Sequence, residues 1–299
     1  MSRNHDCQCF GLLLPSRYFI LHVVLAWCLA VSSVLAEDKS TTNAQKLYSS
    51  SGLQELIVQI PSSTASSFEA TLTKDTLPER FSEVEPDSIK SAVRKAFTTD
   101  TFDKHMTREI DRTMSAESIE AMLNWYLSPL GNRIKRAEID NSLLTEQTRF
   151  EAFQHQLTNS GADSQREQLI FKLDEVMHST ESAVDMMASI QVAFNLSLSR
   201  FLPEEQRLSS ADIQALAKRN HAQLTTQYRN QTREVLLFTY QDFNNDELQE
   251  FYAALKTVAG QEFVASINDG IKKGMFASSL DLGDELGALI AEDASGPGI

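Results

Sequence analysis

The stretch that decides the fold is MSAESIEAMLNWYLSPLGNRIKRAEIDN at residues 114–141, because it returns as FNNDELQEFYAALKTVAGQEFVASINDG at residues 243–270. The two segments align without a gap at an offset of 129 residues. Each begins with a capping residue, Ser115 or Asn244, and continues with acidic residues and then an apolar stripe in the same phase. This pattern predicts one helical unit used twice.

A glycine interrupts the apolar stripe at the same place in both copies, as Gly131 and Gly260. Glycine within a helix costs about 1 kcal/mol relative to alanine, so it marks a close backbone approach or a break between two helices. Pro129 favours a kink or break in the first copy. The second copy has no Ser-Pro pair at this place.

Apolar residues recur at helical spacing through the rest of the chain, and Ser164 with Glu167 has the pattern of a capping box. We therefore expect an all-α, bundle-like fold of two related helical modules without a substantial β-sheet. Each module is expected to pack its terminal stripe against its own earlier helices. The expected division is a signal peptide (1–36), a polar linker (37–46), module 1 (47–142), a connecting helix (143–163), module 2 (164–272) and an acidic, partly disordered tail (273–299).

The N-terminal region has the pattern of an export signal. An apolar run at residues 18–36 follows Arg3 and Arg17 and ends in small residues before Glu37. Cleavage after Ala36 predicts a periplasmic or secreted protein with no membrane span once the signal is removed. The alternative is an uncleaved anchor in the inner membrane.

All three cysteines lie within this signal region, so the mature chain is expected to contain no disulfide bond and no thiolate metal ligand. The apolar content of 42% is enough to build a core. A formal net charge of −14 argues against nucleic acid and anionic membrane surfaces as partners.

The end of the first copy carries the motif Tyr126-x-Ser128-Pro129-x-Gly131 after an acidic helix start. This motif resembles the bacterial exported family called domain of unknown function 2059. The second copy keeps the aromatic pair and the glycine, at Phe251, Tyr252 and Gly260. The resemblance implies a small helical domain in an envelope protein, and it implies no catalytic residue.

The sequence contains none of the common motifs for hydrolases, nucleotide binding or zinc proteases. His105 and Glu109 are spaced to share a helix face, but no third metal ligand accompanies them. Residues 242–246 imitate the start of a calcium-binding loop and then lack its glycine and its final glutamate. We therefore predict no catalytic residue, no cofactor and no metal.

The apolar stripe places Tyr126 in the core, whereas Trp125 falls just off the stripe and is the candidate for a surface or groove contact. The favoured function is a non-enzymatic exported protein that binds another protein or a peptide, through a groove between the modules. The alternatives are an envelope hydrolase that uses carboxylates and a structural protein that self-associates into a homo-oligomer.

Overall fold

The structure is a computed structural model that describes residues 42–71, 84–141, 143–200, 207, 209, 211, 215 and 221–294. The described helices are α1 (Asn43–Ser50), α2 (Leu53–Thr71), α3 (Pro86–Ala96), α4 (Thr99–Thr113), α5 (Ala116–Leu127), α6 (Pro129–Asp140), α7 (Leu143–Ser160), α8 (Ser164–Met177), α9 (Ser179–Ser199), α10 (His221–Thr239), α11 (Asn245–Leu255) and α12 (Val258–Ala294). No strand occurs among these residues, so the expected all-α fold is confirmed. The predicted signal peptide lies outside them.

The offset of 129 residues relates helices as well as sequence. Helices α1 and α2 correspond to α8 and α9, helices α4 and α5 correspond to α10 and α11, and α6 corresponds to the start of α12. In both copies the first helix packs on the third and fourth of these elements, so α1 contacts α4 and α5 while α8 contacts α10 and α11. The repeat is therefore a repeat of tertiary packing.

The last helix of each copy crosses to the other copy. Ile134 of α6 is fully buried in a cluster with Leu173 of α8 and Leu248 of α11, which belong to the second copy. Phe263 of α12, at the position equivalent to Ile134, is fully buried in the cluster that contains the apolar residues of α1, α4 and α5. Helix α12 also packs along α9 of its own module, so the crossing helices merge the two modules into one bundle. The expectation that each module packs its terminal stripe on its own earlier helices therefore describes only part of the packing.

Helix α12 runs through the middle of this bundle between α4 and α9. A Cβ on Gly270 would lie 3.1 Å from Cα of Met106, and one on Gly274 would lie 2.6 Å from Cδ1 of Phe102, so α12 approaches α4 closely at both glycines. Glu109 of α4 forms a salt bridge with Lys273 of α12 at 2.7 Å. These contacts position α12 along the whole of α4.

Two expected boundaries differ from the structure. Residues 273–294 continue α12 and bury Met275, Leu282 and Leu286, so they are a core element and not the expected acidic tail. Their acidic residues lie between the buried apolar positions, so a count of the charge over this stretch does not reveal the helix. Part of the expected linker 37–46 begins helix α1, where Ala44 is buried.

Candidate functional site

The motif of the first copy builds a sharp bend between α5 and α6, here called the first elbow and defined as residues 126–131. Ser128 has an extended backbone (φ −66°, ψ 159°) and ends α5 while capping α6. Its Oγ accepts a hydrogen bond of 3.0 Å from the backbone N–H of Gly131. Pro129 is the first residue of α6, where its missing N–H leaves no partner unsatisfied.

The second elbow, residues 255–260 between α11 and α12, reproduces this bend without a Ser-Pro pair. The Oγ1 of Thr257 accepts a hydrogen bond of 3.0 Å from the N–H of Gly260, as Ser128 does for Gly131. Thr257 stands at the position equivalent to Ser128, and both residues carry a hydroxyl suited to capping a helix. The shared hydroxyl is therefore a sequence signal for the second elbow, in addition to the shared glycine, although the second copy has no Ser-Pro pair.

Both elbow glycines are required by the approach of the preceding helix. A Cβ on Gly131 would lie 2.8 Å from the carbonyl carbon of Trp125 and closer still to its oxygen. A Cβ on Gly260 would lie 2.6 Å from Cα of Leu255 and closer still to the oxygen of Ala254, which is the equivalent of Trp125. Both glycines are buried, so neither lines the expected groove.

The aromatic residues of the motif join the two modules. Tyr126 is 4% exposed and packs against Phe263 with ring centroids 5.4 Å apart, which places it in the core as predicted. Trp125 is half-buried and stacks on Phe251 at 5.3 Å, while Tyr252 is half-buried beside the same cluster. Trp125 therefore has one face in the joint between the modules and keeps part of its surface in solvent.

Polar contacts repeat across this joint. Glu262 of α12 accepts a hydrogen bond of 3.1 Å from the N–H of Ser115, at the start of α5. Arg133, at the position equivalent to Glu262, forms a salt bridge with Glu247, and the side chain of Glu247 accepts from the N–H of Asn244 at the start of α11. Each crossing helix thus reaches the N-terminus of a helix in the other module.

Four carboxyl groups among the described residues have raised pKa values, and three of them accept a hydrogen bond within the fold. The fourth is Asp281 of α12, whose pKa is raised by burial and then by the neighbouring Asp284 and Glu285. Burial raises the pKa of Glu138 to about 8, and its Oε1 accepts a hydrogen bond from Tyr240. Burial also raises the pKa of Asp174, which accepts from the N–H and Oγ1 of Thr180. Asp103, whose pKa is likewise raised by burial, accepts from the hydroxyl of Tyr48. These hydrogen bonds connect α6 to the residue that follows α10, α8 to α9, and α1 to α4.

The two metal patterns weighed in the sequence form structural contacts. Glu109 is buried and binds Arg112 and Lys273, whose hydrogen bonds lower its pKa despite burial. Asn244 caps α11 in a capping box with Glu247. Within the described ranges, no group of three or more His, Cys, Asp or Glu residues is arranged to hold a metal ion.

An exposed apolar surface at the first elbow was not recognised in the sequence. Leu127 is 68% exposed at the end of α5, next to the exposed Pro129 and between the half-buried Trp125 and Leu130. We call Trp125, Leu127, Pro129 and Leu130 the elbow patch. The second elbow has Lys256 at the position of Leu127. Its exposed Val258 stands at the position of Pro129.

No family model, curated protein or solved structure matches this chain. The resemblance of the first-elbow motif to domain of unknown function 2059 therefore stays a prediction. Among the helices that the structure describes, none combines the length and apolarity needed to cross a membrane.

Proposed function

We propose that this chain is an exported, non-enzymatic helical protein that binds a segment of another protein through the elbow patch. The proposed binding surface is the outside of the first elbow and not the groove between the modules that the sequence predicted. This choice is supported by the crossing of α6 and α12, which brings apolar residues of both modules into shared clusters. The partner segment is expected to present apolar side chains, as an amphipathic helix does.

The observation that carries the proposal is the exposure of Leu127 beside Trp125. Leu127 is 68% exposed, and covering such a large apolar side chain with a partner lowers the free energy of the complex. Tryptophan is among the residues that contribute most to protein interfaces, because its ring is large and loses little conformational entropy. The elbow itself is rigid, since Ser128, Pro129 and Gly131 hold it, and a rigid surface loses less entropy on binding.

The non-enzymatic part of the proposal is supported by the carboxyl groups. In the proposed hydrolase alternative, acids with raised pKa values would meet in a cleft. Glu138, Asp174 and Asp103 are instead each hydrogen-bonded at a different helix contact. Asp281 lies beside Asp284 and Glu285 on α12, and these two neighbours form salt bridges with Arg200 and Lys95. The four raised pKa values have a structural cause that requires no catalytic role.

The test is substitution of Leu127 by lysine, the residue at the equivalent position of the second elbow. Because Lys256 occupies the same bend, Leu127→Lys is expected to fold with an unchanged thermal midpoint. A photo-crosslinking residue at Asn124, exposed on α5, reports capture of partners in the native envelope. Leu127→Lys is expected to abolish the specific crosslink, while Val58→Lys, at an exposed apolar site on α2, leaves it unchanged.

Two outcomes would contradict the proposal of binding. The first is the absence of any saturable crosslink from Asn124, and the second is a crosslink equally strong in Leu127→Lys and in the unsubstituted chain. If Val58→Lys weakened the crosslink as much as Leu127→Lys, the binding would depend on exposed apolar residues in general and not on the elbow patch.

Export is tested separately. Intact mass of the protein from the periplasm or medium is expected to correspond to a chain that begins at Glu37. A chain that retains residues 1–36 in the membrane fraction would favour the alternative of an N-terminal anchor.

A further inference from the structure

We propose that two copies of this chain exchange helix α12 by straightening the second elbow, and so form a dimer. The surface that receives α12 is the core face of α4 and α9, and the partner is a second copy of the same chain. This inference goes beyond the proposed binding at the elbow patch and does not depend on it.

The first observation is that the core of module 1 already accepts a helix from elsewhere in the chain. Phe263, Ile267 and Met275 of α12 are at most 1% exposed and lie in the same cluster as the residues of α1, α4 and α5. The connection that brings α12 there is the second elbow, after α11 of the other module. If the elbow pointed α12 outward, the same face could be covered by α12 of a second copy.

The second observation is that the second elbow is nearly helical. Lys256 keeps right-handed helical dihedrals (φ −75°, ψ −12°) and donates to the oxygen of Tyr252, as in a helix interior. Helix α12 starts at Val258, so the change of direction falls on Thr257. Rotation at Thr257 would join α11 and α12 into one continuous helix, in which the N–H of Val258 donates to the oxygen of Ala254.

The third observation is that the first elbow cannot straighten in this way. In a continuous helix, Pro129 would have no N–H for the oxygen of Trp125, and its ring would collide with that carbonyl. The residue at the equivalent position of the second elbow is Val258, which has an N–H and imposes no such collision. One elbow is therefore locked by proline, and the other is held bent by its packing and by the hydrogen bond from the N–H of Gly260 to Thr257.

A straightened second elbow exposes the apolar face of α12, so it persists only when that face is buried again. Two copies that exchange α12 restore the contacts with α4 and α9 in each half of the dimer. Because the contacts are the same, the dimer differs from two monomers mainly in the elbow and in the entropy of association, as in other exchanges of identical elements.

The experiment anneals the purified chain at high concentration near its unfolding midpoint, cools it, and measures mass by light scattering after size exclusion. A dimer fraction is expected. To identify the exchange, Arg112→Cys and Asp269→Cys are introduced where the two side chains meet at 3.1 Å, with Cys7, Cys9 and Cys28 replaced by serine. A short bismaleimide is expected to link the two introduced cysteines between chains in the dimer fraction and within one chain in the monomer fraction.

Proline at the second elbow is the decisive variant. Val258 is 75% exposed and Pro129 fills its equivalent position, so Val258→Pro is expected to keep the bent fold. It should lower the dimer fraction by at least about tenfold, because proline is not accommodated in a continuous helix. Val258→Ala, which keeps the N–H, is the matched control and should dimerise as the unsubstituted chain does.

Alanine at Gly260 should change the dimer fraction in the opposite direction to proline at Val258, and alanine at Gly131 is its control. Gly260→Ala creates a collision only in the bent elbow, so it should raise the dimer fraction above that of the unsubstituted chain. Gly131→Ala creates the same collision beside Pro129 and should leave the dimer fraction unchanged. The proposal is overturned if the annealed chain stays monomeric, if Val258→Pro dimerises like Val258→Ala, or if the bismaleimide joins residues only within one chain of the dimer.

Discussion

Arg133 and Glu262 occupy the same position in the two copies of the repeat, and each binds at the N-terminus of a helix that belongs to the other copy. The chemistry differs, because Glu262 accepts directly from the N–H of Ser115 whereas Arg133 holds the glutamate that caps α11. The position of the contact has therefore been kept while the charge of the crossing helix has changed. Each module therefore contributes one crossing helix to the interface between the two modules.

The elbow glycines should not tolerate a methyl group. Gly131→Ala and Gly260→Ala each place a Cβ against the carbonyl of the preceding helix, which must move. We expect the free energy of unfolding of the monomer to fall by about 1–3 kcal/mol for each, the usual range for overpacking. Urea denaturation measures this, and Asn124→Ala on the exposed side of α5 is the control. A change in either glycine variant no larger than in Asn124→Ala would contradict the explanation.

The hydroxyls at the two elbows should be interchangeable. Ser128→Ala and Thr257→Ala each remove the acceptor for a glycine N–H, and a lost cap of this kind costs about 0.5–2 kcal/mol. Ser128→Thr and Thr257→Ser keep the acceptor and copy the other elbow, so thermal melting should show most of the stability retained. If the hydroxyl variants lost as much stability as the alanine variants, the hydroxyl would not be the stabilising group.

Stability should fall with rising pH because of Glu138. Its pKa is raised by burial to about 8 in the fold, from an ordinary value of 4.5. Between these values the folded protein holds a proton that the unfolded chain has released, so the free energy of unfolding decreases as the pH rises and levels off above about pH 8. Glu138→Gln keeps an acceptor for Tyr240 and removes the titration.

The measurement is the urea midpoint at several pH values from 5 to about 8.5. The unsubstituted chain should lose stability across this range by more than Glu138→Gln does. Parallel pH profiles for the two proteins would show that Glu138 does not titrate in the fold as its burial implies.

Arg166 should be needed as an arginine. Its guanidinium donates to the backbone oxygens of Tyr240 (2.8 Å) and Phe243 (2.5 Å), which joins α8 to the connection between α10 and α11. Arg166→Lys replaces a planar group with several donors by a point charge, and we expect a loss of about 1.5–3 kcal/mol by chemical denaturation. Arg149→Lys, at a surface pair with Glu146, should change stability by less than about 1 kcal/mol. Equal losses in the two variants would contradict a special role for Arg166.

Sequence periodicity was sufficient for most of the helices and for the position of both elbows, but it did not reveal the part of α12 at residues 273–294. The stripes and the paired Gly131 and Gly260 contain this information directly, since a break in a helix leaves a local signal. Capping was predicted less well at one residue. Asp163 caps α8 through its own side chain, and the expected cap Ser164 is the first helical residue. Both residue types favour caps, so composition alone does not choose between neighbours.

The exchange of α6 and α12 was not predictable from the pattern. An apolar stripe records that a helix face is buried, and it does not record which module buries it. Ile134 and Phe263 have the same phase whether each packs at home or across the joint. The direction taken after the elbow depends on single residues, Ser128 and Thr257, and on contacts between positions more than a hundred residues apart, such as Ser115 with Glu262.

The crossing of α12 also sets an order on the formation of the native state. Ribosomes synthesise the N-terminal module before α12, yet Phe102 and Met106 of that module are covered by α12 in the folded protein. The apolar face of α4 therefore stays exposed until α12 has been synthesised, and the folding of the N-terminal module depends on contacts of long sequence separation. A premature stop within α12 would therefore destabilise α4, far from the stop in the sequence, because the apolar face of α4 would stay exposed.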